Sequence, residues 1–234
     1  MKTKIKVLIT CEHGGVKIPP AFKSRFRTHS SLLQTHRGSD MGALDLAKSF
    51  AKRLRAPLVY STTSRLLVDL NRSVGHKSLH FEPIQALPVS TREKIIEKFW
   101  RPYRSRIESI VGRWAQNRNK IFHISSHSFT PKLNGHIRQA DVAFLYDPAR
   151  MGEVRLAKAW SSELKRLRPD LRIRRNYPYQ GKSDGVMKSF RQKWNASTYI
   201  GIELEVNQAM LISKNKFSGK LGEDLISSFL NATV

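Results

Sequence analysis

Ile5-Lys6-Val7-Leu8-Ile9-Thr10 runs directly into Cys11-Glu12-His13-Gly14-Gly15. The apolar run predicts a first β-strand, and the two glycines let backbone or ligand come close to the histidine. A strand followed by a histidine and glycines is a common start of an α/β enzyme. By itself the segment is a weak functional signal, because most single histidines are not ligands. The interpretation of His13 therefore depends on the rest of the chain.

Strands and helices alternate through most of the remaining sequence, as apolar runs and amphipathic periodicity indicate. The predicted strands cover residues 58–60, 66–68, 120–125, 142–146, 171–173 and 199–206, and the predicted helices cover residues 44–54, 90–114, 154–167, 186–194 and 221–230. This alternation predicts an α/β fold with a mixed, largely parallel sheet and helices on both faces. With 234 residues and no linker or repeat, we expect a single domain over residues 1–234.

The helix predicted from residue 90 carries two local signals. Ser90 and Glu93 have the spacing of a capping box at its start. Pro102 lies inside the helix and is expected to bend or break it, because proline has no N–H for the helical hydrogen bond.

The composition is strongly basic, with 42 Lys and Arg residues against 18 Asp and Glu residues and a formal charge of +24. Such a charge attracts nucleic acids, anionic lipids and small acidic molecules. The basic residues form short, dispersed clusters, several of them on the polar faces of predicted helices. We therefore expect a solvated basic surface that binds nucleic acid non-specifically at low salt, and no specific nucleic-acid site.

Other features of the composition exclude or disfavour further classes of protein. Because Cys11 is the single cysteine, an internal disulfide and a Cys-rich zinc module are excluded. No apolar run approaches the roughly 18–20 residues that a membrane span needs. The N-terminus lacks the apolar core and cleavage site of a signal peptide. The expectation is a cytoplasmic protein without a membrane span.

Polar residues with chemical potential follow the ends of several predicted strands. His13, Asn71-Arg72, His127 and Glu205 lie at or just beyond such ends, and Asp40 lies where a loop meets a helix. In an open α/β sheet the carboxyl ends of the strands form the ligand crevice. We therefore expect these residues, distant in sequence, to meet at one edge of the sheet.

The two histidines and the aspartate of this set suit a zinc site. His13 and His127 are the candidate imidazole ligands and Asp40 is the candidate carboxylate, which leaves a fourth position open. Such a site lowers the pKa of a bound water toward neutrality. Asp40, after Ser39, also suits a helix N-cap, and the sequence leaves both interpretations open.

The remaining histidines are assigned simpler places. His123 lies four residues before His127, but in a strand the two need not share a site, and His123 is expected in or near the core. The histidines in polar loops are expected at the surface: His29, His36, His76, His80 and His136.

Glu205 and Arg72 are the candidates for proton transfer and substrate binding. A carboxylate at the end of a buried strand can act as general base, and Glu203 lies on the same face two residues earlier. The alternative for Glu205 is a buried ion pair. The fork of Arg72 matches a carboxylate, and Asn71 can add a donor, whereas the alternative is an arginine held by Asp69.

Cys11 is better explained as a small packed residue than as a nucleophile, since no local feature lowers the pKa of its thiol. Glu12 receives no role at this stage.

At this point the chain resembles the N-formylglutamate amidohydrolase family over roughly residues 5–210. The motifs that carry the resemblance, in the order of the family, are Cys-Glu-His-Gly-Gly (11–15), Ser-Asp-Met-Gly-Ala (39–43), Ser-Arg-Leu-Leu-Val-Asp-Leu-Asn-Arg (64–72), Ser-His-Ser-Phe-Thr-Pro (126–131), Asn-Tyr-Pro-Tyr (176–179) and Ile-Glu-Leu-Glu-Val-Asn-Gln (202–208). Together these motifs are specific, although no single one is.

The resemblance implies a zinc carboxypeptidase-like (phosphorylase/hydrolase-like) fold and metal-dependent amide hydrolysis. The His-x-x-Glu motif of those peptidases is incomplete here, because Val16 stands where the glutamate would be, and Asp40 is the natural replacement. The resemblance also implies that Asn71-Arg72 holds a substrate carboxylate and that Glu205 is the base. Tyr179 is expected to form a wall of the pocket.

The expected activity is therefore zinc-dependent hydrolysis of a small acidic N-acyl amino acid such as N-formylglutamate. Two alternatives remain open. One is a peptidase or deacylase that acts on another N-acyl substrate, and the other is a catalytically silent, basic nucleic-acid-binding protein.

Overall fold

The computed structural model describes residues 4–213 and 215–233. Its strands are β1 (Ile5–Cys11), β2 (Leu58–Tyr60), β3 (Lys120–Phe129), β4 (Lys132–Leu133), β5 (His136–Ile137), β6 (Val142–Leu145), β7 (Ile173–Arg175), β8 (Tyr199–Asn207), β9 (Leu211–Ser213) and β10 (Lys216–Phe217). Its α-helices are α1 (Ser30–Leu33), α2 (Ala43–Leu54), α3 (Glu82–Gln85), α4 (Val89–Ile95), α5 (Arg101–Gln116), α6 (Met151–Leu167), α7 (Val186–Lys193) and α8 (Gly219–Ala232). A π-helical turn, Ile96–Trp100, joins α4 to α5, and 3-10 helices cover Pro20–His29 and Gln208–Met210.

The central sheet has six strands in the order β2-β1-β3-β8-β6-β7. Strands β2, β1, β3 and β8 are parallel, β6 is antiparallel to β8, and β7 is parallel to β6. The predicted mixed, largely parallel sheet is therefore confirmed. The longest ladder joins β3 to β8 and places His127 opposite Glu205.

Helices cover both faces of the sheet, as predicted. On one face α2, α6 and α8 enclose an apolar core around Trp160, which is fully buried against Phe50, Phe144 and Phe229. On the other face α3, α4, α5 and α7 pack in a second core that includes Leu8 of the first strand. Burying a strand on both faces explains why β3 and β8 are almost continuously buried and why the last four residues of β1 are buried.

Alternation along β8 assigns different chemistry to the two faces. Ile202 and Leu204 point into the Trp160 core, whereas Glu203 and Glu205 line a cleft on the opposite face. On β3, Ile124 faces the same apolar core while His127 faces the cleft. The sheet therefore carries a polar strip on one face of its central strands.

The segment 66–68 is not a strand, contrary to the prediction. It forms turns whose backbone bonds with a later loop, since Asp69 donates to the carbonyl of Leu79 and Phe81 donates to that of Leu66. Leu67 is nevertheless fully buried in the second core. A short apolar run indicates burial, and a buried loop satisfies that pattern as well as a strand does.

The long helix also differs from the prediction at two points. It begins at Val89 after Pro88, with no side-chain cap, so the capping box of Ser90 is not formed. Pro102 does not break the helix, because it is the second residue of α5 and follows the π turn directly. The missing N–H of proline thus falls where the regular helical bonding is already interrupted.

Within residues 4–213 and 215–233, no helix has both the length and the apolar character needed to span a bilayer.

Gly42 is the residue before α2 and has a φ of 83°, a conformation that favours glycine. A Cβ at this position would lie 2.5 Å from Cε2 of Phe217 and 2.7 Å from Cδ2 of Leu211. Close packing of the chain against the β9–β10 hairpin therefore depends on the missing side chain.

We expect Gly42→Ala to destabilise the protein more than Gly135→Ala does. Gly135 has the same φ of 83°, but no atom lies within 4 Å of a Cβ built there, so the effect of Gly135→Ala measures backbone strain alone. That strain is about 1–2 kcal/mol, and the overpacking at Gly42 adds about 1–3 kcal/mol. Urea unfolding measures the difference, and equal shifts of the two midpoints would contradict the packing argument.

Candidate metal centre and substrate cleft

A cleft opens at the carboxyl ends of β1, β3 and β8, where an open α/β sheet places its ligands. Its cavity volume is about 190 Å³, so the cleft is small and suits a compact ligand. Every residue predicted for the site lines it: His13, Asp40, Asn71, Arg72, His127, Tyr179 and Glu205.

Three buried side chains converge in the cleft. The Nδ1 atoms of His13 and His127 lie 3.2 Å and 2.8 Å from the same oxygen, Oδ2 of Asp40. His13 follows β1, His127 lies in β3, and the loop before α2 supplies Asp40, whose N–H donates to the carbonyl of His13. The three side chains form a group whose ligand atoms all lie within 4.8 Å of one another.

Asp40 is not the cap of α2. The residue at the N-cap is Gly42, and no side chain caps the helix. The carboxylate of Asp40 instead faces the two imidazoles and accepts from Nη1 of Arg65 at 3.3 Å. Of the two interpretations that the sequence left open, the N-cap is therefore wrong.

The outer nitrogen of each imidazole is bound as well. Nε2 of His13 lies 2.6 Å from Oδ1 of Asp69, and Nε2 of His127 lies 3.1 Å from Oε2 of Glu12. An ionised carboxylate only accepts hydrogen bonds, so each Nε2 donates to the carboxylate beside it, and in a charged imidazole Nδ1 donates to Asp40 as well. In a neutral imidazole that keeps the Nε2 hydrogen, a lone pair remains on Nδ1.

With neutral imidazoles the centre therefore brings together three acceptors: two Nδ1 lone pairs and one carboxylate oxygen. Such atoms repel one another unless protons on the Nδ1 atoms or a metal ion lie between them. Two nitrogen ligands and one oxygen ligand are the donor set of a three-ligand zinc site with an open position. The residues present thus fit a divalent metal ion.

The charges around the centre also favour a cation between these atoms, either a proton or a metal ion. Burial opposes ionisation of Asp40, but His13, His127 and Arg65 hold the pKa of its carboxyl below the usual range. Burial likewise opposes a charged His127, yet Asp40 and Glu12 raise the pKa of its imidazole well above the ordinary value.

The buried charges do not cancel when both imidazoles are neutral, as metal ligands are. The pKa values of the carboxyls of Glu12, Asp40 and Asp69 all lie below the usual range, against the effect of burial, because of the neighbouring histidines and Arg65. Three carboxylates against the single guanidinium of Arg65 then leave an excess of two negative charges. Protons on the two imidazoles or one divalent cation would balance this excess.

Glu205 lies beside the centre with one oxygen free. Its Oε2 is buried and has no hydrogen-bond partner among the described residues, and no cation of that part of the chain forms an ion pair with it. Burial, with the negative charges of Asp40 and Glu203, raises the pKa of Glu205 to about 8 against the opposing effect of His127. The ion-pair alternative for Glu205 therefore finds no support in this geometry.

Glu203 is held differently. Burial raises the pKa of its carboxyl, while a hydrogen bond from the side chain of Asn71 acts in the opposite direction. Oδ1 of Asn71 accepts from the N–H of Val186 at 2.7 Å. Asn71 thus ties Glu203 to the start of α7.

Arg72 reaches the cleft from the turn-rich loop after residue 65, not from the end of a strand. Its Nη1 donates to the carbonyl of Asp184 at 2.6 Å, while its Nε is buried without a partner among the described residues. Asp69 does not hold it, because that carboxylate binds His13 and Arg65. Arg72 therefore keeps donor capacity for a ligand.

Tyr179 forms part of the cleft wall and is 46% exposed. Its hydroxyl accepts from Nη2 of Arg138 at 3.0 Å, and the guanidinium lies 5.0 Å from its ring centroid. Both contacts restrain the position of the ring.

Three other histidines can now be placed. His36 also lines the cleft, so its simple surface assignment was incomplete. The surface assignment of His80 was wrong, because it is buried and its Nδ1 lies 2.7 Å from the carbonyl oxygen of Leu67. His123 is fully buried between Oγ1 of Thr10 and the hydroxyl of Tyr199, as expected for a core histidine. Cys11 is fully buried too, and burial raises the pKa of its thiol, which opposes thiolate formation.

Residues 5–212 match the sequence profile of the N-formylglutamate amidohydrolase family. The chain belongs to this family. Among proteins with curated descriptions, none matches the chain.

Two solved structures share the fold, and a third is a more distant match. An Agrobacterium tumefaciens gene product has a TM-score of 0.84 and 24% identity, over 97% of this chain and 90% of that chain. The N-formylglutamate amidohydrolase from Ralstonia eutropha JMP134 has a TM-score of 0.73 and 17% identity, over 97% of this chain and 92% of that chain. A metallo-carboxypeptidase from Burkholderia cenocepacia matches more distantly, with a TM-score of 0.38 and 12% identity, over 100% of this chain and 56% of that chain.

In this member of the N-formylglutamate amidohydrolase family, the sequence did not reveal the residues that bind the outer nitrogens of the two histidines. Asp69 entered only as a partner of Arg72, and Glu12 and Arg65 received no role. Only one weak signal was available: Glu12 adjoins His13, and a strand alternates its side chains between faces. Contacts such as that between Glu12 and His127 require knowledge of which strands are neighbours.

We expect the protein to bind one divalent metal ion per chain, and His13→Ala and His127→Ala to lose most of it, because each substitution removes one converging acceptor. His36→Ala is the matched control, since His36 lines the same cleft but is not among the converging residues. Metal analysis after dialysis against trace metal measures the content. Equal metal in all four proteins would refute the site.

Proposed function

We propose that this protein is a zinc-dependent hydrolase that cleaves the formamide bond of an acidic N-acyl amino acid such as N-formylglutamate. The observation that supports this most directly is the convergence of His13, Asp40 and His127 next to a carboxyl of Glu205 with a free oxygen. Family membership supports amide hydrolysis as the class of reaction.

The proposed metal ligands are His13, Asp40 and His127. A zinc ion held by these residues would supply Lewis acidity for the scissile carbonyl and would lower the pKa of a bound water. The remaining chemistry belongs to residues of the chain.

Glu205 is the proposed general base. Its unpartnered Oε2 takes a proton from the attacking water and returns it to the departing nitrogen. A raised pKa suits this double role, because a strongly acidic carboxyl would not accept the proton. Glu203 is less suited, since Asn71 already donates to it.

Arg72 is proposed to hold the carboxylate of the substrate. Its Nη1 is fixed by the carbonyl of Asp184, so the guanidinium is oriented before the ligand arrives, and its Nε remains available. Asn71 supports this end of the cleft by joining Glu203 to α7, and Tyr179 closes one wall. The positioning of the substrate by Arg72 is its proposed contribution to catalysis.

The substrate is proposed to be small and acidic. The cleft is of small-molecule size, and the strongly basic surface favours the approach of anions. A peptidase or a deacylase for another N-acyl group would use the same centre, so the distinction between them depends on the substrate alone.

We expect the zinc-loaded protein to release glutamate from N-formylglutamate faster than it releases amino acids from N-acetylglutamate, N-formylleucine or a dipeptide. If Arg72 binds the α-carboxylate, the α-amide of N-formylglutamate should be a poor substrate. A coupled assay of amine release measures kcat/KM across the panel. Activity on the other substrates without activity on N-formylglutamate would exclude the named substrate but retain the hydrolase.

Glu205→Gln should lower kcat by about 10²–10⁴-fold, the usual contribution of a general base. Glu203→Gln is the matched control: it lies on the same strand and face, and a glutamine oxygen still accepts from Asn71. We expect it to keep most of the activity. Steady-state kinetics at equal metal content measure both, and a larger loss in Glu203→Gln would reverse the assignment.

A further inference from the structure

Glu12 is a buried carboxylate that the proposed reaction does not use. Its side chain is 1% exposed, and no Lys or Arg in the described residues forms an ion pair with it. Oε1 accepts from the hydroxyl of Tyr103 at 2.7 Å, and Oε2 accepts from the hydroxyl of Ser125. Burying a carboxylate is unfavourable unless its interactions compensate, so its place in the core needs a reason.

The directions of the hydrogen bonds supply that reason. The single hydroxyl hydrogen of Ser125 goes to Glu12, so Oγ of Ser125 can only accept from Nε2 of His127, 2.8 Å away. Oε2 of Glu12 lies 3.1 Å from the same Nε2 and is also an acceptor. The hydrogen of His127 is therefore directed away from the cleft, toward Ser125 and Glu12.

We propose that Glu12 is a positioning residue that sets the tautomer and ring orientation of His127, with Ser125 as the relay between them. The arrangement keeps a hydrogen on Nε2 and directs Nδ1 toward Asp40, so that the neutral ring presents its lone pair there. The effect of Glu12 on metal binding rests on the proposed function, whereas its effect on the orientation of the imidazole of His127 does not.

The strand order brings Glu12 next to Ser125 and His127. Thr10 of β1 is paired with Ser125 of β3, and the two chain segments run in parallel from there toward the cleft. Glu12 and His127 each lie two residues further along. Tyr103, on α5, closes the network from the helix side.

His13 has a similar arrangement, but it is a less selective test. Its Nε2 is bound by Asp69, whose other oxygen binds Arg65, and Arg65 also contacts Asp40. A change at Asp69 would therefore disturb a ligand directly. Glu12 contacts one proposed ligand only, His127, so its effect can be separated.

Carboxylates behind a ligating histidine fix its orientation and increase its basicity, and their loss typically lowers metal affinity by about 10–100-fold. Glu12→Gln removes the negative charge with almost no change in volume. An amide N–H placed at Nε2 favours the tautomer with the hydrogen on Nδ1, where it would face Asp40.

The test compares wild type with Glu12→Gln, Ser125→Ala and Tyr103→Phe. Competition with a chelator measures Zn²⁺ affinity, and ¹⁵N-resolved NMR follows the Nε2 hydrogen of His127, assigned by its absence in His127→Ala. We expect a slowly exchanging Nε2 hydrogen in wild type. We expect Glu12→Gln to lose that signal and to bind Zn²⁺ about 10–100-fold more weakly, with a smaller change for Ser125→Ala.

Tyr103→Phe is the matched control. It removes a hydrogen bond to the far oxygen of the same buried carboxylate but leaves the contacts with Ser125 and His127. We expect it to lower the urea midpoint while the Nε2 signal and the Zn²⁺ affinity stay near wild type. Equal losses in Tyr103→Phe and Glu12→Gln would point to general disruption and overturn the proposal.

The NMR measurement separates this inference from the proposed function. An unchanged Nε2 signal in Glu12→Gln overturns the role of Glu12, whether or not metal binds. If Glu12→Gln loses the signal while wild type binds no divalent ion, the hold of Glu12 on His127 stands and the metal-dependent function fails.

Discussion

The mutual repulsion of three buried acceptor atoms is the constraint on which the rest of the site depends. Nδ1 of both imidazoles and Oδ2 of Asp40 lie within hydrogen-bond distance, and in neutral rings each Nε2 holds the one hydrogen, so that all three atoms are acceptors. Only a proton or a metal ion can occupy the space between them. The same carboxylates that direct the lone pairs inward also supply the negative charge that attracts a cation.

This constraint gives a reason for the polar strip on the sheet. Buried polar groups are tolerated when each one is paired, and nearly all of those on this face are. Thr10, His123 and Tyr199 bond to one another deep in the sheet, and Glu12, Ser125 and His127 do so nearer the cleft. Against that background two buried atoms of the cleft lack a partner among the described residues, Oε2 of Glu205 and Nε of Arg72.

Charge has opposite signs at the surface and at the centre. The chain as a whole carries +24, whereas the three carboxylates around the histidines exceed the one guanidinium among them. A basic exterior draws anions toward the cleft, but a bare negative centre would repel them. The two effects are compatible when a cation occupies the centre, and Arg72 then adds a second positive group for the carboxylate of a substrate.

The sequence by itself determined the fold class and most of the elements that matter. Apolar runs located β1, β3 and β8 because those strands are buried on both faces, and amphipathic periodicity located α2 and α6 because each packs one face on the sheet. Residues of chemical type at the ends of these runs, His13 and Glu205 among them, could be proposed as neighbours because parallel strands bring their carboxyl ends together.

The local signals were less reliable. The run 66–68 is apolar because it is buried, and burial does not distinguish a turn from a strand. The pattern at Ser39-Asp40 suits a cap, but Gly42 begins the helix and Asp40 turns to the histidines. In both cases a long-range contact outweighed the local preference.

Only the tertiary structure decided which hydrogen bonds each residue makes. Glu12 and Ser125 are 113 residues apart, and their contact exists because β1 lies beside β3. Asn71 and Val186, 115 residues apart, also meet only in the folded chain. The side chain of Asn71 interacts with Glu203, whereas Oε2 of Glu205 has no hydrogen-bond partner among the described residues. The identity of a titratable residue is local information, whereas its protonation, orientation and free lone pairs depend on neighbours that strand order brings into contact.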